Sequence, residues 1–267
     1  MIATWLLSGV VYVFIGAFAG IMAGILGIGG GIIVVPGLAF LFQTHHIIPA
    51  DAVMHVAAGT SLAVMVFTSP SALRVHHKIG EILWSVYHKL WPGLVLGVCL
   101  GAYIAQFIPT YYLEIIFAGF LFFVAFKMLT DLHKIYTEHF PANWINRVVS
   151  FLIGLKSGLL GVGGGILIIP YLTYCGVSVR KIAPISNLCT LTVGFVGAMV
   201  FIATGYKEMA GVPYSSGFVY WPAVLGVAIP SVLIAPLGAK LNYILPINQL
   251  KYGFIVILIL TAIKMLF

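Results

Sequence analysis

Long apolar stretches follow one another along this chain, separated by short polar intervals. They lie at roughly 5–27, 31–43, 52–73, 90–108 and 111–130 in the first half, and at roughly 144–162, 165–176, 182–203, 218–239 and 249–267 in the second. A helix needs about 20 apolar residues to cross a bilayer. Most stretches meet that length, but 31–43 and 165–176 do not. Each of these two directly follows a G-x-G-G-G sequence, so each is expected to begin within the membrane depth as a glycine-broken half-helix.

The glycine element occurs twice, as GILGIGGGIIVVP at 24–36 and GLLGVGGGILIIP at 158–170. Gly24, Gly27, Gly29, Gly30, Gly31 and Pro36 recur 134 positions later as Gly158, Gly161, Gly163, Gly164, Gly165 and Pro170. Trp91-Pro92 pairs with Trp221-Pro222, and Gly101-Ala102 and Lys127-Met128-Leu129 recur at an offset of 137 as Gly238-Ala239 and Lys264-Met265-Leu266. Thr60-Ser61 falls opposite Ile185-Ser186 at an offset of 125. The pattern predicts an all-α polytopic integral membrane protein built from two homologous repeats, 1–140 and 141–267, of about five hydrophobic segments each, forming one membrane domain. A duplication of this kind, with each apolar segment interrupted by glycines, points to a transporter whose substrate site lies between the repeats.

Composition supports the membrane reading. The chain is 62% hydrophobic and 7% charged over 267 residues, whereas soluble domains carry roughly 25% charged residues. The basic residues behind its net charge of +7 sit singly or in pairs between apolar runs, which suits cytoplasmic loops rather than nucleic-acid binding. Placing Arg74, Lys78 and Lys89 inside also puts Lys127, Lys134, Arg147, Arg180 and Lys181 inside, provided each half crosses an odd number of times. The repeats are then inverted and both termini are outside. Trp5, Trp91, Trp144 and Trp221 sit near segment starts, where interfacial indoles anchor helices. The N-terminal segment lacks a basic n-region and reads as a retained first helix. Cys99, Cys175 and Cys189 lie within apolar runs as packed thiols. The expected location is a plasma membrane, the inner membrane of a bacterium.

The candidate site residues are Gly27, Gly29, Gly30 and Gly31 with Gly161, Gly163, Gly164 and Gly165, together with Thr60, Ser61, Ser186, Asn187 and Lys156. Bare backbone lets a ligand approach closely, and the helix that follows presents its N–H groups and positive dipole end to an anion. Hydroxyl and amide groups at repeat-equivalent positions can donate to an oxyanion. Lys156 lies inside an apolar segment, where charge is usually functional. Competing readings are close small-residue helix packing for the glycines, interhelical hydrogen bonds for the hydroxyls, and snorkelling for Lys156. His55 reads as a packed neutral histidine, and the pairs His45-His46 and His76-His77 lack further ligands for a metal. No acid–base pair or nucleophile triad appears within the membrane segments, so neither an enzyme nor a cofactor is expected.

At these residues the chain resembles the sulfite exporter TauE/SafE family of membrane permeases. The two glycine elements look like the family's repeats, and AAGTSL looks like its small-Thr-Ser element; the second copy departs from it with Ile185-Ser186-Asn187. The resemblance covers essentially the whole chain. It implies export of small sulfur-containing anions such as sulfite, sulfoacetate or related organosulfonates, with the lipid bilayer and the anion as partners and homo-oligomerisation left open. The alternatives are a permease for a carboxylate or a transition-metal ion, and a non-transporting membrane scaffold.

Overall fold

The computed structural model describes residues 2–27, 29–79, 83–130, 141–177, 179–244 and 247–266. Lys134 and the side chains of Trp5, Lys78, His76, His77 and Arg180 lie outside the described residues. The described chain is all-α apart from one small hairpin. The helices are α1 (Ile2–Leu26), α2 (Gly31–His45), α3 (Val53–Ile79), α4 (Trp84–Ala105), α5 (Thr110–Thr130), α6 (Asn143–Leu160), α7 (Gly165–Tyr174), α8 (Val179–Thr204), α9 (Trp221–Ile244) and α10 (Ile247–Leu266). Six described helices contain spans long and apolar enough to cross a membrane, in α1, α3, α4, α5, α8 and α9. α2 and α7, of 15 and 10 residues, are short, as the sequence pattern requires.

α3 and α8 pack together at the centre, flanked by α9 and α4 respectively. The tightest pairings are α1 on α9 and α4 on α6. Both are built from glycines spaced four apart. Gly16, Gly20 and Gly24 of α1 lie against the backbone of Val227, Ser231 and Ala235 of α9, and Gly93, Gly97 and Gly101 of α4 lie against that of Arg147, Phe151 and Leu155 of α6. In lipid, where apolar side chains gain little by leaving a solvent as apolar as themselves, such close backbone approach is what holds helices together. The outward faces carry large apolar side chains, among them Phe14, Phe126, Phe195 and Leu233. Trp91, Trp144 and Trp221 are also on the surface.

One element was not anticipated. The apolar segment expected at 218–239 does not open as a helix: β1 (Ser215–Ser216) and β2 (Val219–Tyr220) pair as a hairpin, and α9 starts only at Trp221. Gly217 turns the hairpin at φ +54. Phe218 N–H donates to Phe201 O at 3.1 Å and Tyr220 N–H to Thr60 Oγ1 at 3.0 Å. The hairpin therefore docks on the middle of the bundle against α3.

Candidate functional site

The two glycine elements share their letters but not their backbone. After α1, Gly27 adopts φ +66 with its N–H on Ala23 O at 2.9 Å, and Gly29 and Gly30 follow at φ +79 and +75. Gly30 is the N-cap of α2 and has no side-chain cap. After α6, Gly161 adopts φ +68, and both its own N–H and that of Val162 point to Ser157 O, a Schellman-type ending. Gly164, the N-cap of α7 and the counterpart of Gly30, has an ordinary φ of −57. The left-handed region costs an L-residue about 1–2 kcal/mol. Gly30 and Gly161 therefore need glycine for backbone reasons, whereas Gly164 in this conformation does not.

Each element is pressed against the central helix of the other half. Gly27 lies on α8, where Ser186 Oγ donates to Gly27 O at 2.7 Å. A methyl group placed on Gly27 would lie 3.4 Å from Asn187 Nδ2, and one on Gly29 would collide with Thr190 Cγ2. Gly161 lies on α3, where a methyl group would collide with Ala58. The two elements meet at Gly31. A methyl group there would collide with Met65 Cε and lie 3.0 Å from Gly161 O and 3.1 Å from Ser61 Oγ. Met65 is fully buried and fills the space between Gly29 and Gly31.

Around this crossing lie polar atoms that have been taken out of water without a partner. Ser61, Asn187 and Thr190 are completely buried. Ser61 Oγ, Asn187 Oδ1 and Thr190 Oγ1 accept and donate no hydrogen bond, while Asn187 Nδ2 donates to Ala183 O at 3.1 Å. An unsatisfied buried polar group costs about 1–3 kcal/mol. Of these three groups on α3 and α8, beside the first turn of α2, the hydroxyls of Ser61 and Thr190 can donate to an acceptor, whereas Asn187 Oδ1 can only accept. Asn187 presents its carbonyl oxygen, and this orientation is fixed by the bond of Nδ2 to Ala183 O, because a turned amide would set Oδ1 against that carbonyl.

The expected residues divide accordingly. Gly27, Gly29, Gly30, Gly31, Gly161, Ser61, Ser186 and Asn187 come together. Thr60 is buried beside them, but its hydroxyl accepts from Tyr220 N–H and so holds the hairpin. Gly163, Gly164 and Gly165 are buried. The neighbours a methyl group would meet at Gly164 are Ile168, Val193 and Ile153 rather than the polar cluster. Lys156 lies apart from this cluster: it is exposed on α6, with Nζ 5.6 Å from the centre of the Phe123 ring. The cause is helical phase. The inward face of α6 carries Ser150, Ile153, Gly154, Ser157 and Leu160, and position 156 falls off it. His55 is packed as expected, with Nε2–H donating to Ala105 O at 3.0 Å and the ring stacked on Phe218. Met65 and Thr190 join the cluster without a motif to mark them. A lone Met or Thr in an apolar helix carries no signal, but the offset of 125 that pairs Ser61 with Ser186 also pairs Met65 with Thr190.

Comparison with known proteins agrees with this architecture. The family model "Sulfite exporter TauE/SafE" matches residues 12–265. A probable membrane transporter protein of Haemophilus influenzae is 35% identical, with 94% of this chain and 95% of the relative aligned. A probable membrane transporter protein of Methanocaldococcus jannaschii is 32% identical over 86% of this chain and 85% of the relative. The probable membrane transporter protein YunE of Bacillus subtilis is 23% identical over 98% of both. No solved structure gives a significant match. The chain is a membrane transporter and belongs to the sulfite exporter TauE/SafE family.

Proposed function

We propose that this transporter exports a small sulfur oxyanion, sulfite or an organosulfonate such as sulfoacetate, through the crossing of its two glycine elements. The observation that carries the reading is the pair of unpartnered buried hydroxyls, Ser61 Oγ beside Gly31 and Thr190 Oγ1 on the residue packed against Gly29. A tetrahedral or pyramidal oxyanion satisfies hydroxyl donors and helix N–H groups together. Lys156 has no part in binding.

The two halves are read as inverted repeats, with α1 to α5 corresponding to α6 to α10. The packing supports a two-fold relation between the halves: exchanging them turns the α1–α9 pair into the α6–α4 pair and leaves the α3–α8 and α5–α10 pairs unchanged; the inversion rests on the loop charges. The halves are nonetheless caught in different local states. Ser186 Oγ bonds Gly27 O, whereas its counterpart Ser61 Oγ has no partner, although a single position, Gly31, neighbours both it and Gly161 O. In the opposite-facing state Ser61 takes Gly161 O and Ser186 is released. Alternating access is then an exchange of these two bonds around one site, with Met65 closing the crossing in the state seen.

An interior-negative plasma membrane favours the exit of an anion by about 2.3 kcal/mol per charge per 100 mV. Export therefore runs down the potential without a coupling ion. Proteoliposomes loaded with sulfite, sulfoacetate, sulfate or acetate test this, with and without an imposed potential. Efflux of sulfite or sulfonate that follows the potential is the expected result. Efflux that ignores potential and follows a proton gradient contradicts the uniport, and no sulfur-anion flux under any condition contradicts the substrate class.

A further inference from the structure

A second site lies away from the glycine crossing, on the perimeter. A groove of about 700 Å³ runs between α1, α2, α5 and α10. Its two ends differ in chemistry. Ile15, Ile33, Pro36 and Gly37 line one end, whereas Gln43, Tyr111, Glu114 and Lys264 line the other. The polar end gathers the C-terminal turn of α2, the first turns of α5 and the last turn of α10. The lining along α2 extends from Ile33 to Gln43, about 15 Å at 1.5 Å per residue. That is half of the roughly 30 Å hydrocarbon core, and so the depth of a single leaflet.

The polar end carries one charge of each sign, and each is engaged by its own neighbour. Gln43 Nε2 donates to Glu114 Oε1 at 2.7 Å. Lys264 Nζ sits 3.4 Å from the centre of the Phe40 ring, a cation–π contact that fixes the ammonium at the groove wall. Glu114 thus keeps one oxygen beyond the Gln43 bond, and the Lys264 ammonium keeps N–H donors beyond the ring.

We propose that this groove is a phospholipid site selective for a primary-ammonium headgroup, as in phosphatidylethanolamine. One acyl chain lies along α2 in the apolar trough between Ile15, Ile33 and Gly37. The phosphate accepts from Lys264, and the ethanolamine ammonium donates to Glu114. A choline headgroup has no N–H to donate to Glu114, and a glycerol headgroup has no positive charge to place there. The site binds a structural lipid and is independent of the transported substrate.

The test uses the full chain purified in detergent. Melting temperature and native mass spectrometry are recorded with phosphatidylethanolamine, phosphatidylcholine and phosphatidylglycerol of identical acyl chains. The expected result is a retained one-to-one ethanolamine lipid adduct and a melting temperature raised by several degrees more than with the other two lipids. Glu114→Gln, which keeps the bond with Gln43, abolishes the preference for ethanolamine over choline without altering the melting temperature in detergent alone. Lys264→Gln weakens the response to all three lipids. Equal responses of the wild type to the three lipids overturn the proposal. So does a preference for phosphatidylglycerol, which would mark simple attraction of an anionic lipid to Lys264, and so does an ethanolamine preference that survives Glu114→Gln.

Discussion

The two glycine elements carry the same motif, yet one is contorted and the other nearly relaxed. Copy one places Gly27, Gly29 and Gly30 in the left-handed region, whereas copy two uses it only at Gly161. Copy one is tied to α8 by the Ser186–Gly27 bond, and its flank is packed on Thr190 and Met65. Copy two leaves the equivalent serine, Ser61, without a partner. A duplicated sequence thus fixes where two segments sit but not that they hold the same conformation together. Under the proposed exchange, glycine at a relaxed position is kept for the state that is not displayed.

That view separates stability from flux. The largest effect is expected at Gly30→Ala. The substitution forces alanine to φ +75 and brings its methyl group 3.0 Å from Ala19, costing about 1–2 kcal/mol from the backbone alone. It should lower the melting temperature and reduce flux to background. Gly164→Ala, at φ −57 with its nearest neighbour a side-chain tip at 3.2 Å, should leave the melting temperature unchanged yet also suppress flux. Wild-type flux in Gly164→Ala would show that copy two never adopts the conformation of copy one.

Inversion of the halves is tested by orientation. With Cys99 replaced by serine to remove the half-buried thiol, a cysteine added at the C-terminus should label in intact cells. Labelling only after permeabilisation would break the inverted relationship. The smallest effect is expected at Lys156→Gln. Because Nζ lies over Phe123 on the exposed face of α6, flux should stay near the wild-type rate, and a loss of about tenfold would return Lys156 to the site.

Much of this was legible beforehand. Glycine and proline punctuate the apolar runs sharply enough that α2 and α7 begin where the pattern places them, at Gly31 and Gly165. The β1–β2 hairpin was not legible, because strands of two residues have no periodicity to read. Its docking also redirects Thr60 from ligand to scaffold. The exposure of Lys156 is not legible from its apolar neighbours in sequence, because it depends on the helical phase set by Gly154, Ser157 and Gly158. Thr190 and Met65 share the 125-residue offset of Ser61 and Ser186 in the sequence, but their contact with the glycines depends on how two distant segments cross.

On the proposed mechanism, the unpartnered hydroxyls at the crossing meet the substrate. A hydrogen bond to a charged group is worth about 1.5–3 kcal/mol, roughly tenfold or more in affinity for each donor. Potential-driven sulfite or sulfonate efflux from proteoliposomes should therefore be measured for the wild type and for Ser61→Ala combined with Thr190→Val, with melting temperatures alongside. The double variant removes two buried hydroxyls that have no partner, so it should melt at or above the wild-type temperature while transport falls by about two orders of magnitude. Undiminished efflux from a stable double variant would contradict the account.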